Sequence, residues 1–300
     1  MEGGLQSSRS ETISHFSHGS MQDAKGIGWR RAMLDVRFGQ ASDPGKLRAN
    51  NEDSVGSFVP RSRQEGRSLG WMFVVADGVG GMDLGEVASA KAVSTIVDGF
   101  AQAQEGTSLA SLVPRLIQHA NAAVHDELLR PEHRGKRMAT TVVACALRHD
   151  QAIVSHVGDS RCYHVHDGHA AAVTRDHTLV NDQRKLGLVS AAEAARSEAR
   201  HVLTRCLGPE LFVTTDTTTL PLRAGDVLVL CSDGLYGGMY DEDIARIASQ
   251  KKDIQEIAEE LVRYAVEVDG SDNATAQVIS IHSVEMMAMY RGRPYHIPGT

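Results

Sequence analysis

Several things are scarce in this chain of 300 residues. Aromatic residues make up 5% of it, and no apolar stretch approaches the ~20 residues that cross a bilayer. The N-terminus shows no charged-then-apolar leader. Secretion and membrane spanning are therefore not expected, and the expected address is cytoplasmic. The cysteines Cys145, Cys162, Cys206 and Cys231 stand far apart without a Cys-x-x-Cys pair, which excludes a disulfide framework or a thiolate zinc site built on clustered thiols. Positive charge is not in surplus either. Lys and Arg total 31 against 38 Asp and Glu, a net charge of −7, so no nucleic-acid partner is expected.

The hydrophobic share of 42% and the charged share of 23% are those of a globular protein, and the length is ample for a large core. Residues 1–30 are rich in Ser, Gly, His and Gln without a sustained period and read as a flexible N-terminal arm. Residues 285–300 read as an unpatterned C-terminal tail. Residues 31–284 between them contain neither a repeat nor a Pro- or Ser-rich linker and read as one domain.

Within that domain, strand-length runs at Trp71–Ala76, Ala139–Leu147, Ala152–Val157, Val227–Cys231 and Ala274–Ile281 are rich in Val and Ile and bounded by Gly, Asp or Asn. In Ala274–Ile281 the face carrying Ala274, Ala276, Val278 and Ser280 is the better core candidate. Arg161–Val165 and Ala170–Thr174 flank Asp167-Gly168, a dipeptide that tolerates positive φ and so predicts a hairpin. Capping-box spacing at Asp83/Glu86, Ser190/Glu193 and Asp253/Glu256 marks helix starts. The apolar stripes that follow are Val87, Ala90, Val93, Val97 and Phe100, and Ile254, Ile257, Ala258, Leu261, Val262, Ala265 and Val266. A further helix around Leu112–Leu129 presents Leu116, Ala120, Ala123 and Val124. One apolar stripe per helix and strands apolar on both faces predict an α+β fold, a four-layer α/β/β/α sandwich with two central sheets.

The carboxylates are the informative feature. Asp77, Asp159 and Asp233 each follow an apolar run, and Asp272 directly precedes one. If these strand ends meet, the carboxylates repel one another in a low-dielectric setting unless protons or cations lie among them. An oxygen-only ligand set selects magnesium or manganese rather than zinc or copper. The plain alternative is that Asp-Gly, present five times, is an ordinary turn dipeptide; pattern alone leaves both readings open.

Six motifs in order resemble those of the PPM family, the type 2C metal-dependent serine/threonine phosphatases. They are Arg48-Ala49-Asn50-Asn51-Glu52-Asp53, Asp77-Gly78-Val79-Gly80-Gly81, Thr140-Thr141, Gly158-Asp159-Ser160-Arg161, Ser232-Asp233-Gly234-Leu235 and Asp272-Asn273-Ala274-Thr275. The resemblance runs from about residue 33 to residue 282 and implies mostly antiparallel central sheets. It also implies two or three divalent cations, manganese or magnesium. Asp77 bridges two of them, the Gly78 carbonyl adds a ligand, and Asp233 and Asp272 complete one shell. Glu52 and Asp53 act largely through bound waters, Asp159 holds a third ion, and Arg48 grips the phosphate. On that basis a hydroxide bridging two ions attacks phosphorus in phosphoserine or phosphothreonine. Phosphorylated proteins are the expected substrates, a serine/threonine kinase the expected counterpart, and a monomer the expected state. The alternative is a phosphatase-like binding module without turnover, against which the complete acidic set argues; a phosphatase of small phosphoesters shares the ions and differs in the groove.

Two departures accompany the resemblance. Val79 stands where eukaryotic members carry a His proposed to protonate the leaving oxygen, and Gly237-Gly238 replaces bulkier residues. The segment 176–208 resembles the family's flap, in which His177 is expected to pack or cap. His164 and His166 alternate onto one strand face with zinc-compatible spacing, yet without an evident further ligand they read as a solvent-exposed hairpin edge.

Overall fold

The computed structural model describes residues 33–80, 82–290 and 293–296. The polar arm at 1–30 lies outside the described residues, as does Gly81. Two antiparallel five-stranded sheets stand back to back. The first contains β1 (Asp35–Asp43), β6 (Arg161–His166), β7 (His169–Ala172), β9 (Val227–Cys231) and β10 (Ala274–Ser283), in the order β1-β10-β9-β6-β7. The second contains β2 (Asp53–Phe58), β3 (Trp71–Asp77), β4 (Val142–Arg148), β5 (Gln151–Val157) and β8 (Asp216–Pro221), in the order β2-β3-β4-β5-β8.

The helices are α1 (Arg63–Ser68), α2 (Gly85–Ala101), α3 (Leu109–Leu128), α4 (Leu179–Lys185), α5 (Ala191–Arg196), α6 (Asp233–Tyr236), α7 (Asp241–Ala248) and α8 (Ile254–Val268). α2 and α3 cover the second sheet, burying Ile96, Phe100, Ile117 and Val124 against Met72, Val74 and Ala144. α7 and α8 cover the first, burying Ile244, Leu261 and Ala265 against Val229, Ala276 and Val278. Between the sheets lie Phe73, Val75, Val143, Val154, Leu228, Leu230 and Ile279. Three apolar layers separated by two sheets make the expected α/β/β/α sandwich. None of the described helices is long and apolar enough to cross a membrane.

β10 is buried on both faces over Ala274–Ile279, not on one. Ala276 and Val278 face α8 while Ile279 and Ile281 face the other sheet, so a central strand of a middle layer has no solvent side and its alternation is blurred. The Asp167-Gly168 hairpin is as expected, with φ of 47° and 74°. Ser190 and Glu193 form the full reciprocal capping box, and Asp253 caps α8 by accepting from the Gln255 N–H at 2.9 Å.

Asp83 does not cap α2. The helix begins at Gly85 after Leu84, and the Asp83 carboxylate instead accepts the Arg137 N–H at 2.9 Å. The buried stripe of α2 is correspondingly rotated to Ala88, Ser89, Ala92, Val93, Ile96 and Phe100, leaving Ala90 exposed. The small residues Ala88, Ser89 and Ala92 face the sheet, and the Ser89 hydroxyl donates to the Glu52 carbonyl at 2.6 Å. On α3, Ala123 is half-buried where full burial was expected. Residues placed in the tail carry structure: Glu285 is buried and pairs with Arg67 at 2.9 Å, and β11 (Met287–Tyr290) pairs with β12 (Arg293–His296).

Candidate metal centre

The strand ends converge. In the second sheet, antiparallel pairing sets Asp53 at the start of β2 opposite Asp77 at the end of β3. In the first sheet, β9 delivers Ser232 and Asp233, and Asp272 leads into β10. The chain crossing between them is close: a Cβ on Gly234 would lie 2.1 Å from the Asn273 carbonyl oxygen. Only glycine at 234 lets Asp233 start its helix beside Asp272. Asp159 sits in the turn between β5 and β6. Asp77 is central, feeling the charges of Asp53, Asp233, Asp159 and Asp272.

Each acidic residue is held through its backbone or by a neighbour. The Asp77 carbonyl accepts from the Thr141 N–H and the Thr140 hydroxyl, both at 2.8 Å, while the Asp77 N–H donates to Thr141 Oγ1 at 3.1 Å. The paired threonines thus fix Asp77 from the neighbouring strand. The Gly78 N–H donates to the Glu52 carbonyl at 3.1 Å. Ser232 Oγ donates to Asp53 Oδ2 at 2.7 Å. Tyr236 donates to the Asp159 carbonyl at 2.9 Å, and the Arg161 guanidinium lies 3.6 Å over the Tyr236 ring while gripping Asp176 with two bonds of 2.8 and 2.7 Å. Arg48 Nη2 pairs with Asp272 Oδ2 at 2.6 Å, and a Cβ on Gly80 would come within 3.1 Å of both guanidinium nitrogens.

Burial, then the neighbouring carboxylates, pushes the acids up. Asp53 rises to about 7 and Asp159 to about 8; Asp77 lies well above the ordinary carboxylate range. Burial and the Glu86 charge raise Glu52. Asp53 Oδ1 is buried with no hydrogen-bond partner, an orphaned lone pair that a native interior rarely leaves unused. The donors are all oxygen, the charge is concentrated and negative, and an acceptor is unsatisfied, so these residues fit hard divalent cations. The His164, His166 and Asp226 ligand atoms, by contrast, draw within 4.8 Å of one another. The acidic set is more open than that, as like charges dictate, with Arg48 pairing Asp272.

Every site residue expected from the sequence reaches this end of the sandwich. The residues that position these acids are less legible in the sequence than the acids themselves. Asn273 accepts the Glu52 N–H at 2.8 Å and donates to the Pro44 and Asn50 carbonyls at 3.0 Å each; its place inside a motif was the available signal. His201, 3.5 Å from Asp233 and raised chiefly by its bond to that carboxylate, had no such signal. His177 packs as expected, stacked on His156 with centroids 4.6 Å apart. Val79 closes the loop through a 3.0 Å bond from its N–H to the Ala139 carbonyl. Gly238 is explained by close packing, since a Cβ there would press on Asp269 and Val268 at 3.1 and 3.2 Å.

Comparison with known proteins agrees with this arrangement. The family profile of protein phosphatase 2C matches residues 49–273. The chain is 32% identical over 257 residues to the serine/threonine phosphatase stp of Listeria innocua, covering 84% of this chain and 96% of that protein. The crystal structure of the Mycobacterium tuberculosis serine/threonine phosphatase PstP/Ppp superposes with a TM-score of 0.73 at 30% identity, covering 83% of this chain and all of that one. The catalytic domain of PstP in complex with two manganese ions superposes with a TM-score of 0.70, also at 30% identity, over 83% of this chain and 100% of that one. The chain belongs to the protein phosphatase 2C family.

Proposed function

We propose that this chain hydrolyses phosphoserine and phosphothreonine in proteins in a metal-dependent reaction, opposing a serine/threonine kinase as a cytoplasmic monomer. The observation that carries the reading is the meeting of Asp53 and Asp77 from one sheet with Asp233 and Asp272 from the other, beside a guanidinium. Manganese or magnesium, two or three ions when bound there, would supply Lewis-acid charge and an activated water for attack on phosphorus. Asp77, the Gly78 carbonyl, Asp233 and Asp272 are assigned as direct ligands, Asp159 as the holder of a further ion, and Glu52 and Asp53 as partners of bound water. Arg48 is assigned to the phosphate. Its planar fork matches two phosphoryl oxygens, and its present partner, Asp272, is itself a proposed ligand, so an ion that takes Asp272 frees Arg48 for substrate.

Segment 176–208 is assigned as the flap over the groove. It exposes Leu186, Leu188 and Val202 and brings His201 to Asp233, which suits a peptide chain better than a small phosphoester. Val79 carries no titratable proton, so the leaving oxygen takes its proton from another source. The decisive assay is release of phosphate from a phosphothreonine peptide with manganese. Turnover should vanish with a chelator and in Asp233→Asn; full turnover in that variant refutes the ligand assignment, and absence of turnover in the wild type favours the binding-module alternative.

A further inference from the structure

A second cluster of ligand-type side chains lies at the opposite end of the strands that carry the acidic centre. His164 and His166 project from one face of β6, their rings stacked 6.0 Å apart at 24°. Asp226, the residue before β9, meets both. His166 Nδ1 is 2.6 Å from Asp226 Oδ1, and His164 Nε2 is 3.2 Å from Asp226 Oδ2. β6 is not the exposed edge anticipated from the sequence, because it pairs with β9 on one side and β7 on the other. Asp226 is 1% exposed and the two histidines are only 23% and 34% exposed.

Hydrogen bonding accounts for this cluster incompletely. Asp226 Oδ2 accepts the Arg223 N–H at 2.8 Å, and the Asp226 carbonyl accepts the Ile281 N–H at 2.9 Å, so the carboxylate is fixed in place. His166 Nε2 lies 3.3 Å from Asp167 Oδ2. The much shorter contact to the buried Asp226 places a proton on Nδ1, which donates to Asp226 Oδ1 at 2.6 Å. An ion bound here would take the place of that proton, as metal binding to histidine generally does. His164 Nε2 is buried and, despite its nearness to Asp226, has no aligned hydrogen-bond partner. Two imidazole nitrogens and a carboxylate oxygen thus point at one place, with a carboxylate behind one imidazole, the support that commonly orients metal-bound histidine. His166, Asp167 and Gly225 also line a surface pocket of about 510 Å³, which gives an ion and its water an access path.

We infer that His164, His166 and Asp226 form a binding site for a zinc-class divalent ion, separate from the acidic centre. Two nitrogens and one oxygen suit zinc, cobalt or nickel, whereas the all-oxygen centre suits magnesium or manganese. Three protein ligands leave a fourth position for water. The ion ties the β6–β7 hairpin to the turn before β9. β6 begins two residues after Asp159 and β9 ends two residues before Asp233, so the site anchors the far ends of the two strands that bear those carboxylates. Five strand residues at about 3.3 Å each put the two sites roughly 17 Å apart. The inference is independent of the proposed phosphatase activity.

The test uses the full chain, stripped with a chelator and then held in excess magnesium to occupy the acidic centre. Cobalt(II) is titrated in while its visible ligand-field absorption is followed, and zinc then displaces it. The wild type should bind one cobalt per chain with the intense band of low coordination and lose it to one equivalent of zinc. Zinc should also raise the thermal midpoint by about 5 °C at saturation. His164→Gln and His166→Gln should each weaken cobalt binding at least about 100-fold, whereas Asp272→Asn should leave the band intact. A wild type with no such band in excess magnesium overturns the site, whatever the variants do, and leaves a plain histidine–aspartate ion pair. Equal binding by the wild type and both histidine variants, or loss of the band in Asp272→Asn, overturns it equally.

Discussion

Asn273 offers the sharpest test of how the centre is held. It is 5% exposed, and its amide spans three pieces of backbone that no strand ladder joins. Oδ1 accepts the Glu52 N–H, and Nδ2 donates to the carbonyls of Pro44 and Asn50. Asn273→Asp preserves shape and the bond from Glu52, yet replaces the donor with an oxygen facing two carbonyl oxygens 3.0 Å away. Two lost hydrogen bonds cost about 1 kcal/mol each. Placing a carboxylate against two carbonyls and beside Asp272 adds about 1–2 kcal/mol. The expected loss is about 3–4 kcal/mol at pH 7, a large part of a domain's stability.

The sign of its pH dependence follows. Once protonated, the new carboxyl donates to one of the carbonyls, so its folded-state pKa is raised above the unfolded value of about 3.9. The penalty is therefore smallest in acid and grows as pH rises through the folded pKa. Urea unfolding of chelator-treated Asn273→Asp at pH 7 and pH 5, referenced to the wild type, should show the deficit shrinking at the lower pH. Asn273→Ala loses all three bonds, about 3 kcal/mol, with no such pH term. Asn273→Asp within about 0.5 kcal/mol of the wild type at pH 7 would refute the bridging role.

Three further outcomes are expected. Asp77→Asn should make the ion-free protein more stable by about 1–3 kcal/mol, because it removes a buried carboxyl that burial and four neighbouring carboxylates hold protonated at a cost the unfolded chain does not bear; it should abolish the manganese-dependent rise in thermal midpoint, and calorimetry with and without manganese reads both. Gly158→Ala should destabilise by about 2–5 kcal/mol and depress turnover, since φ is +103° and the new Cβ would lie 2.6 Å from Thr141 Cβ; unfolding and phosphopeptide kinetics check it. His177, lowered to about 4 by burial, by stacked His156 and by Arg205, stays neutral in the fold while an unfolded chain protonates below about 6.5. Its contribution is therefore constant above about pH 6.5 and is lost as pH falls toward 4, by up to about 1.4 kcal/mol per unit. Between pH 7 and pH 5 the stability gap between the wild type and His177→Asn should narrow by about 2 kcal/mol, as urea titrations would show.

How far the sequence could be read depended on whether one local rule decided the outcome. Val227–Cys231 was legible to the residue because a five-residue apolar run ends in Ser-Asp-Gly. The Asp167-Gly168 turn was legible because so few residues accept its positive φ. Ser190 capped as its spacing demanded. Asp83 has the same spacing and failed because tertiary structure presented a competing donor, the Arg137 N–H. The acidic motifs named the charged residues of the centre but not what keeps them there. Asn273, Tyr236 and His201 reach it across sequence separations that no periodicity encodes. Asp226 stayed invisible as a neighbour of His164 for the same reason: sixty residues separate it from His166, and only the β6–β9 pairing brings them together.

The division of the acidic centre between the sheets has a mechanical consequence. Asp53 and Asp77 ride on the second sheet, Asp233 and Asp272 on the first, and the layer between is apolar except at this end. Ionising all of these carboxylates together would push the two sheets apart where the inter-sheet core runs out. The contacts that oppose it cross the same gap: Ser232 to Asp53 at 2.7 Å and Asn273 to Glu52 at 2.8 Å. None of them neutralises charge. Arg48 does, through its pair with Asp272 and its charge near Glu52 and Asp233, but it sits on the rim. Dications placed among the four aspartates would do both at once, cancelling the repulsion and joining the sheets, so occupancy of the centre and closure of this end of the sandwich are one equilibrium. Stability should then depend on manganese concentration by mass action, and substitutions such as Asn273→Asp that loosen the neutral cross-links should weaken manganese binding even though they remove no ligand.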